Sequence, residues 1–273
     1  MKNILFFFGL LLSGHLSAQQ IAEAEKTHPL VIGEVLEIHS DVLNEDRILN
    51  IYLPNGYSKD SLKDYPVIYL LDGSYHEDMI HIAGLVQFDS YSWINRVPES
   101  IVVGISNIDR KRDYTFPTTV VEDKKSFPTT GGSAAFIEFL EKEVQPFIKA
   151  NYKVNQTRTL IGQSLGGLLA TEILFKKPEM FDNYIIVSPS LWWNKQSLLA
   201  LNPVAPTSEK SVYVAVGREG RVMQSTAKQL YSKLHKLPNY RTYFQYFKEL
   251  SHADALHLAV YYGFPKIFVR EEK

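Results

Sequence analysis

The apolar positions of this chain change rhythm as the sequence proceeds. "VIGEVLEIHSDVL" and "RILNIYLP" predict two strands, centred on residues 35–38 and 48–53, as antiparallel neighbours. After the polar turn region "NGYSKDSLKDYP", the pattern shifts to short unbroken apolar runs: "VIYLLDG", "SIVVGI", "RTLIG", "YIIVSPS" and "SVYVAVG", followed by "YRTYFQYF". A run without polar alternation is what a strand buried on both faces requires. Helical spacing fills the intervals. In "SAAFIEFLEKEVQPFIKANY", Phe136, Phe139, Leu140, Val144, Phe147 and Ile148 share a helical face, and Pro146 predicts a kink or break. "LGGLLATEILFKKP" predicts a helix that stops before Pro178, and "SLLALN" and "STAKQLYSKLHKLP" supply two more. Buried strands alternating with helices predict an α/β fold, with a mostly parallel central sheet and helices on both faces. With no Pro/Gly/Ser-rich linker and no internal repeat, residues 19–273 read as one domain.

Composition changes this picture in three ways. The chain has 273 residues, 45% of them hydrophobic, which is enough for a full core. Its 29 basic and 30 acidic residues nearly cancel and form no basic block, so a nucleic-acid partner has no electrostatic footprint. There is no cysteine, which removes disulfides, thiolate metal sites and a cysteine nucleophile. The opening "MKNILFFFGLLLSGHLSAQQ" has a lysine, an apolar run and then small and polar residues. That is the shape of a signal peptide, with cleavage expected after Ala18 and a periplasmic or secreted destination. The run is too short for a permanent membrane span, so stable membrane insertion is not expected.

The candidate chemistry lies in "TRTLIGQSLGGLLATEI". Gly162-Gln163-Ser164-Leu165-Gly166 is a G-x-S-x-G string, with a buried strand directly before it and a helix directly after. That is the context in which a strained turn presents a serine nucleophile. The glycines let backbone pack against backbone there, and the helix N-terminus puts free N–H groups beside the serine. A serine hydroxyl needs an adjacent base at neutral pH, and the elbow order expects an acid and then a histidine downstream.

Three histidines follow Ser164. His252, in a loop just past the last predicted strand, is the leading base; His257 is the second choice, and His235 sits in a predicted helix. Glu219, in the loop after "SVYVAVG", is the leading acid, and Asp254 is an alternative that breaks the usual order. An oxyanion hole would use the N–H of Leu165 and one from "LLDGSYHED", supplied by Gly73, Ser74 or Tyr75, with Gly73 also letting the backbone turn. No metal site is expected. His76 and His81 of "HEDMIH" are five residues apart, off the shared face that a zinc helix needs. Such a site needs no cofactor.

These residues converge on a known family. The chain resembles the putative-esterase branch of the α/β-hydrolases, which includes enterochelin-type siderophore esterases, feruloyl esterases, esterase D proteins and mycolyltransferases. The resemblance rests on "YPVIYLLDG", "IVVGISNIDRKRDYTFP", "FIEFLEKEVQPFIKANY", "TLIGQSLGGLLATEILFKKPEMFDNYIIVSPSLWW", "VYVAVGREG" and "ELSHADAL". "SPSLWW" and the stretch carrying Asn107, Arg110, Arg112 and Asp113 look most like the siderophore-esterase-like subgroup. "DYTFP" departs from the pattern, with Phe116 inserted before the proline. The resemblance implies Ser164 as nucleophile, His252 as base and Glu219 as acid. The implied substrate is an ester, either a small molecule or glycan-linked.

Arg110 and Arg112 have two readings: loop ion pairs with Asp109 and Asp113, or contacts to an anionic or phenolic substrate. Trp192 and Trp193 are candidates for stacking on an aromatic or sugar group, with one of them expected in the core. An acyltransferase on the same scaffold and a catalytically silent binding protein are the rival readings.

Overall fold

The computed structural model describes residues 26–269. The chain divides into Met1–Val31 and Ile32–Lys273, and the fold described below belongs to the second unit. The signal-peptide reading of residues 1–18 lies outside the described residues.

Eight strands form one sheet in the order β1-β2-β4-β3-β5-β6-β7-β8. Strands β1 (Gly33–Ser40) and β2 (Glu45–Tyr52) are the expected antiparallel hairpin, and β2 runs antiparallel to β4 (Ile101–Ile105). From β4 onward every pairing is parallel: β3 (Tyr65–Leu71), β5 (Val154–Gln163), β6 (Asn183–Val187), β7 (Lys210–Gly217) and β8 (Tyr240–Phe247).

The unbroken apolar runs are explained by two cores, one on each face. Along β7, Val212, Val214 and Val216 enter the first core while Tyr213 and Ala215 enter the second. Helices α4 (Ser133–Phe139), α6 (Leu165–Lys176) and α8 (Gly220–Leu234) bury Phe136, Leu168, Leu169 and Leu230 in the first. Helices α1 (Met79–Asp89) and α9 (Ala255–Phe268) bury Ile82, Val86, Val260 and Phe264 in the second. Both faces are covered, as a parallel sheet requires. This is the α/β-hydrolase fold.

Two local expectations are refined. The helix interrupted by Pro146 continues as α4, a π turn over Leu140–Val144, and α5 (Gln145–Asn151). Pro146 falls in the first turn of α5, where a missing N–H costs least, and the π turn absorbs the change of register. Strand β5 starts at Val154, ahead of the apolar "RTLIG", because Val154 pairs with Tyr65 of β3. Backbone pairing extends the strand through polar residues that carry no apolar signal. The short helices α2 (Arg110–Asp113) and α3 (Val121–Ser126) and the segment α7 (Trp193–Ala200), interrupted by left-handed Asn194, Lys195 and Gln196, complete the framework, with α2 shortly after β4.

From β3 the chain moves to β4 on one side and later returns to β5 on the other. Such a reversal leaves a crevice beyond the carboxyl ends of the two central strands, where open α/β sheets hold their ligands. Ser164 follows the last residue of β5.

Candidate active site

Ser164 has φ +59° and ψ −118°, a left-handed conformation that costs a non-glycine residue on the order of 1–3 kcal/mol. Its surroundings hold it there. Its N–H donates to Val187 O at 3.0 Å, and its carbonyl accepts from Leu168 N–H and Ser190 N–H, each at 2.9 Å. The flanking glycines are needed because the turn is tight: a Cβ on Gly162 would lie 2.5 Å from Gly166 O. Helix α6 starts at Leu165, whose N–H has no intrahelical acceptor and lies next to the serine.

His252 and Glu219 meet as expected. His252 Nδ1 donates to Glu219 Oε2 at 2.5 Å. Glu219 Oε1 accepts from Gly217 N–H at 2.8 Å and from the hydroxyl of Ser188. The Glu219 side chain is only 3% exposed, so it is not a solvated loop carboxylate. Burial pushes its carboxyl upward, but the hydrogen bonds from His252, Ser188 and Gly217 outweigh this and hold it below the usual glutamate range. An ionised Glu219 fixes the proton on Nδ1 and leaves Nε2 as the acceptor of the neutral imidazole. The His252 carbonyl accepts from Gln163 Nε2 at 2.6 Å, which ties the histidine loop to the residue before the nucleophile. In this conformation Ser164 Oγ lies 3.4 Å from Ser190 Oγ, and among the described residues no hydrogen bond joins it to His252. Catalytic hydrogen bonds commonly tighten only when substrate is bound.

The other downstream candidates are accounted for elsewhere. His257, on α9, packs its ring against His81 of α1 at 3.6 Å between centroids. His235 bonds Thr242 Oγ1 and stacks on Tyr231. Asp254 accepts from the N–H and hydroxyl of Ser251, so it is a turn residue and not a second acid for His252. His76 stacks on Tyr75 and does not join His81.

Four expectations are corrected or narrowed. Gly73 is not an oxyanion donor, because its N–H is spent on Ile105 O at 3.0 Å. The N–H groups of Ser74 and Tyr75 make no hydrogen bond among the described residues, and the Ser74 carbonyl anchors the loop by accepting from Glu77 and Met79 N–H. Arg112 takes the ion-pair reading, with Glu45 as an added partner. Its guanidinium is taken up by Glu45 at 2.6 and 2.9 Å and by Asp113 at 2.6 Å, in a network that includes the fully buried Arg47. Arg110 pairs with Asp72, not with Asp109 or Asp113: Nε and Nη2 reach the two carboxylate oxygens at 2.6 and 2.9 Å. Asp109 instead caps α2 by accepting from the N–H groups of Lys111 and Arg112. Trp193 is the core tryptophan, fully buried with Nε1 donating to Phe116 O at 2.9 Å, whereas Trp192 is half-buried beside Phe127. The inserted Phe116 therefore gives this tryptophan its acceptor.

Sequence reasoning missed Ser188, Ser190 and Asp72. Ser188 and Asp72 have positive φ, at +45° and +57°, each directly after a parallel strand, as Ser164 is. The available signal was a polar residue ending an unbroken apolar run in "YIIVSPS" and "VIYLLDG".

Fold and site together define an α/β-hydrolase with a serine on a strand–turn–helix elbow and a carboxylate-bound histidine beside it. The model of the family described as "Putative esterase" matches residues 40–261, and the chain belongs to that family. It is similar to the ferri-bacillibactin esterase of Bacillus subtilis, 32% identical over 169 residues that cover 57% of this chain and 58% of that protein. The match thus spans less than two thirds of that relative's length. Among solved structures, the IroE-like serine hydrolase of Shewanella oneidensis superposes with a TM-score of 0.76 at 29% identity, covering 85% of this chain and 79% of that one. The BES protein of Bacillus cereus gives a TM-score of 0.77 at 26% identity, covering 90% of this chain and all of that one (100%).

Proposed function

We propose that this protein is a serine carboxylic-ester hydrolase acting through an acyl-enzyme intermediate. The observation that carries the reading is the strained Ser164 turn combined with a His252 whose Nδ1–H is held by a buried Glu219.

The steps follow from the chemistry of the groups. Ser164 Oγ attacks the ester carbonyl while Nε2 of His252 takes the hydroxyl proton. The carbonyl π electrons move onto oxygen, where the N–H of Leu165 and that of Ser74 or Tyr75 stabilise the charge. Glu219 stays ionised and stabilises the imidazolium. As the tetrahedral adduct collapses, the C–O bond to the alcohol breaks, and His252 returns the proton to the leaving oxygen. Water then repeats the sequence on the acyl-serine, releasing the carboxylic acid and free Ser164.

For substrate class, the similarity to a ferri-bacillibactin esterase supports a small-molecule siderophore ester. The leader-like residues 1–18 support export of the mature chain.

The test is hydrolysis of p-nitrophenyl, feruloyl and catecholate-triester substrates by the mature protein, with Ser164→Ala alongside. We expect cleavage of the catecholate triester and a loss of at least about a thousandfold in the variant. Equal inactivity of both proteins would overturn the nucleophile assignment. Preference for the feruloyl ester would move the substrate to plant-type aromatic esters. Turnover only with an added alcohol would move the reaction to acyl transfer.

A further inference from the structure

Asp72 sits where the candidate oxyanion loop leaves β3, in a left-handed conformation with φ +57°. Its N–H donates to the hydroxyl of the fully buried Tyr114 at 3.1 Å, and its carbonyl accepts from Asp78 N–H at 3.4 Å. The carboxylate takes three donors: Asn107 Nδ2 at 2.7 Å, Arg110 Nε at 2.6 Å and Arg110 Nη2 at 2.9 Å. The same Nη2 also reaches the carbonyl of Gln163, the residue before the nucleophile, at 3.3 Å. From the other side, a Cβ on Gly166 would come within 3.2 Å of Asp72 Oδ2, so the carboxylate lies against the first turn of α6. Gln163 in turn holds the carbonyl of His252 through its side chain.

A single ion pair therefore touches the root of the oxyanion loop and the nucleophile elbow, and reaches the histidine loop through one further residue. The two-nitrogen fork fixes direction as well as distance, which a single-point contact would not do. With side-chain exposures of 12% for Asp72 and 33% for Arg110, the pair is shielded enough to hold its geometry.

We propose that Asp72 and Arg110 are positioning residues: together they lock the Ser74–Tyr75 donors onto the Ser164 turn, so that nucleophile and oxyanion donors keep one fixed separation. This rests on the esterase reading above and goes further by giving Arg110 a structural partner in place of a substrate contact. An oxyanion hole works by being fixed before charge develops. A misplacement of about 1 Å at such a site costs on the order of a hundredfold in rate. The lock therefore acts on kcat rather than on substrate binding.

The experiment is a double-mutant cycle of Asp72→Asn and Arg110→Ala, with Arg110→Lys as the conservative variant. It is read by steady-state kinetics on a p-nitrophenyl ester and by backbone hydrogen exchange. We expect each substitution to lower kcat by about a hundredfold with KM within about threefold. The double variant should be no worse than either single one, because both break the same link. Arg110→Lys should not rescue, since lysine keeps the charge and loses the fork. Exchange should accelerate at residues 73–78 and 163–166 in all variants and stay unchanged in β6 and β7.

A raised KM with kcat retained in Arg110→Ala would overturn the lock in favour of a substrate contact. Additive losses in the double variant, rescue by lysine, or unchanged exchange at both segments would also overturn it. Exchange reads the lock without turnover. If the wild type hydrolysed nothing, the esterase reading would fail on its own, and the exchange arm would still decide whether the pair couples the two segments.

Discussion

Two carboxylates stand beyond the strand ends around Ser164, and they put the same charge to different uses. Glu219 follows β7 and holds a histidine; Asp72 follows β3 and holds an arginine. Both side chains are largely withdrawn from water, at 3% and 12% exposure, and each accepts three hydrogen bonds. The difference lies in the partner. An imidazole can gain and lose a proton in the ordinary pH range, so its carboxylate can support proton transfer. A guanidinium does not deprotonate, and although burial works against its charge, Asp72 raises Arg110 further above the usual arginine range. A carboxylate paired with arginine can therefore only hold geometry. In the proposed reading, one buried anion serves the chemistry and the other the alignment.

This contrast can be broken at each partner in turn. The largest effect is expected on the titratable side. His252→Ala should lower kcat by about 10⁵-fold, and combining it with Ser164→Ala should add nothing, because the two act as a unit. Steady-state kinetics with the double variant checks this. Glu219→Gln comes next. It keeps the shape and loses the charge that fixes the imidazole tautomer, and kcat should fall by about 10⁴-fold.

The same variant also has a stability signature. The Glu219 carboxyl is lower in the folded protein than its ordinary value of 4.5, so its contribution is fully present above that pH and is lost as pH falls through the folded value. The difference in thermal midpoint between wild type and Glu219→Gln should narrow as the pH is lowered from 4.5 through the folded value. On the arginine side the expected kcat losses are smaller, as set out above, and should come without a new pH dependence near neutrality.

Asp78 sharpens the comparison with the smallest effect. It precedes α1 without a side-chain capping bond, and its carboxyl is raised to about 6, by burial first and then by the charges of Asp72 and Glu77, with Arg110 opposing. A carboxyl raised in the folded state costs stability once the unfolded chain ionises, and the cost is complete above the folded value. Asp78→Asn should therefore raise the thermal midpoint by about 2 °C at pH 8 and leave it unchanged at about pH 3 or below, under the ordinary value of 3.8. Differential scanning calorimetry at the two pH values decides it. A gain that persisted at low pH would mean that the effect is one of packing and not of charge.

Three of the positive-φ residues mark strain at the carboxyl ends of the central strands. Asp72, Ser164 and Ser188 follow the neighbouring strands β3, β5 and β6, and all three have φ between +45° and +59°. Toward their carboxyl ends these strands are buried and mostly apolar, and the flanking helices bury both faces of the sheet. Packing there is strong enough to hold unfavourable conformations at the carboxyl ends, which is how a fold presents a strained functional turn.

Much of this was legible in the sequence, for definite reasons. Burial on two faces requires unbroken apolar runs, so the parallel strands announced themselves, as did the antiparallel pair that precedes them. The Ser164 turn needs small residues at Gly162 and Gly166 because the two backbones touch, and that need is written as a string. Chain order then led to Glu219 and His252, since each sits just past a recognisable strand. The sequence by itself thus determined the sheet class, the nucleophile turn and the two residues of the charge-bearing pair.

What it did not carry were pairings between side chains distant along the chain. Asp72 with Arg110, Glu45 with Arg112, Ser188 with Glu219 and Trp193 with the Phe116 carbonyl have separations of 38, 67, 31 and 77 residues, respectively. None has a local spacing signature. Asp109 and Asp113 looked like partners for Arg110 because they are close in sequence, yet the chain turns Arg110 toward the end of β3 and leaves Asp109 to cap α2. Strand order and register set which strand ends lie side by side, and that geometry decided which carboxylate each cation meets.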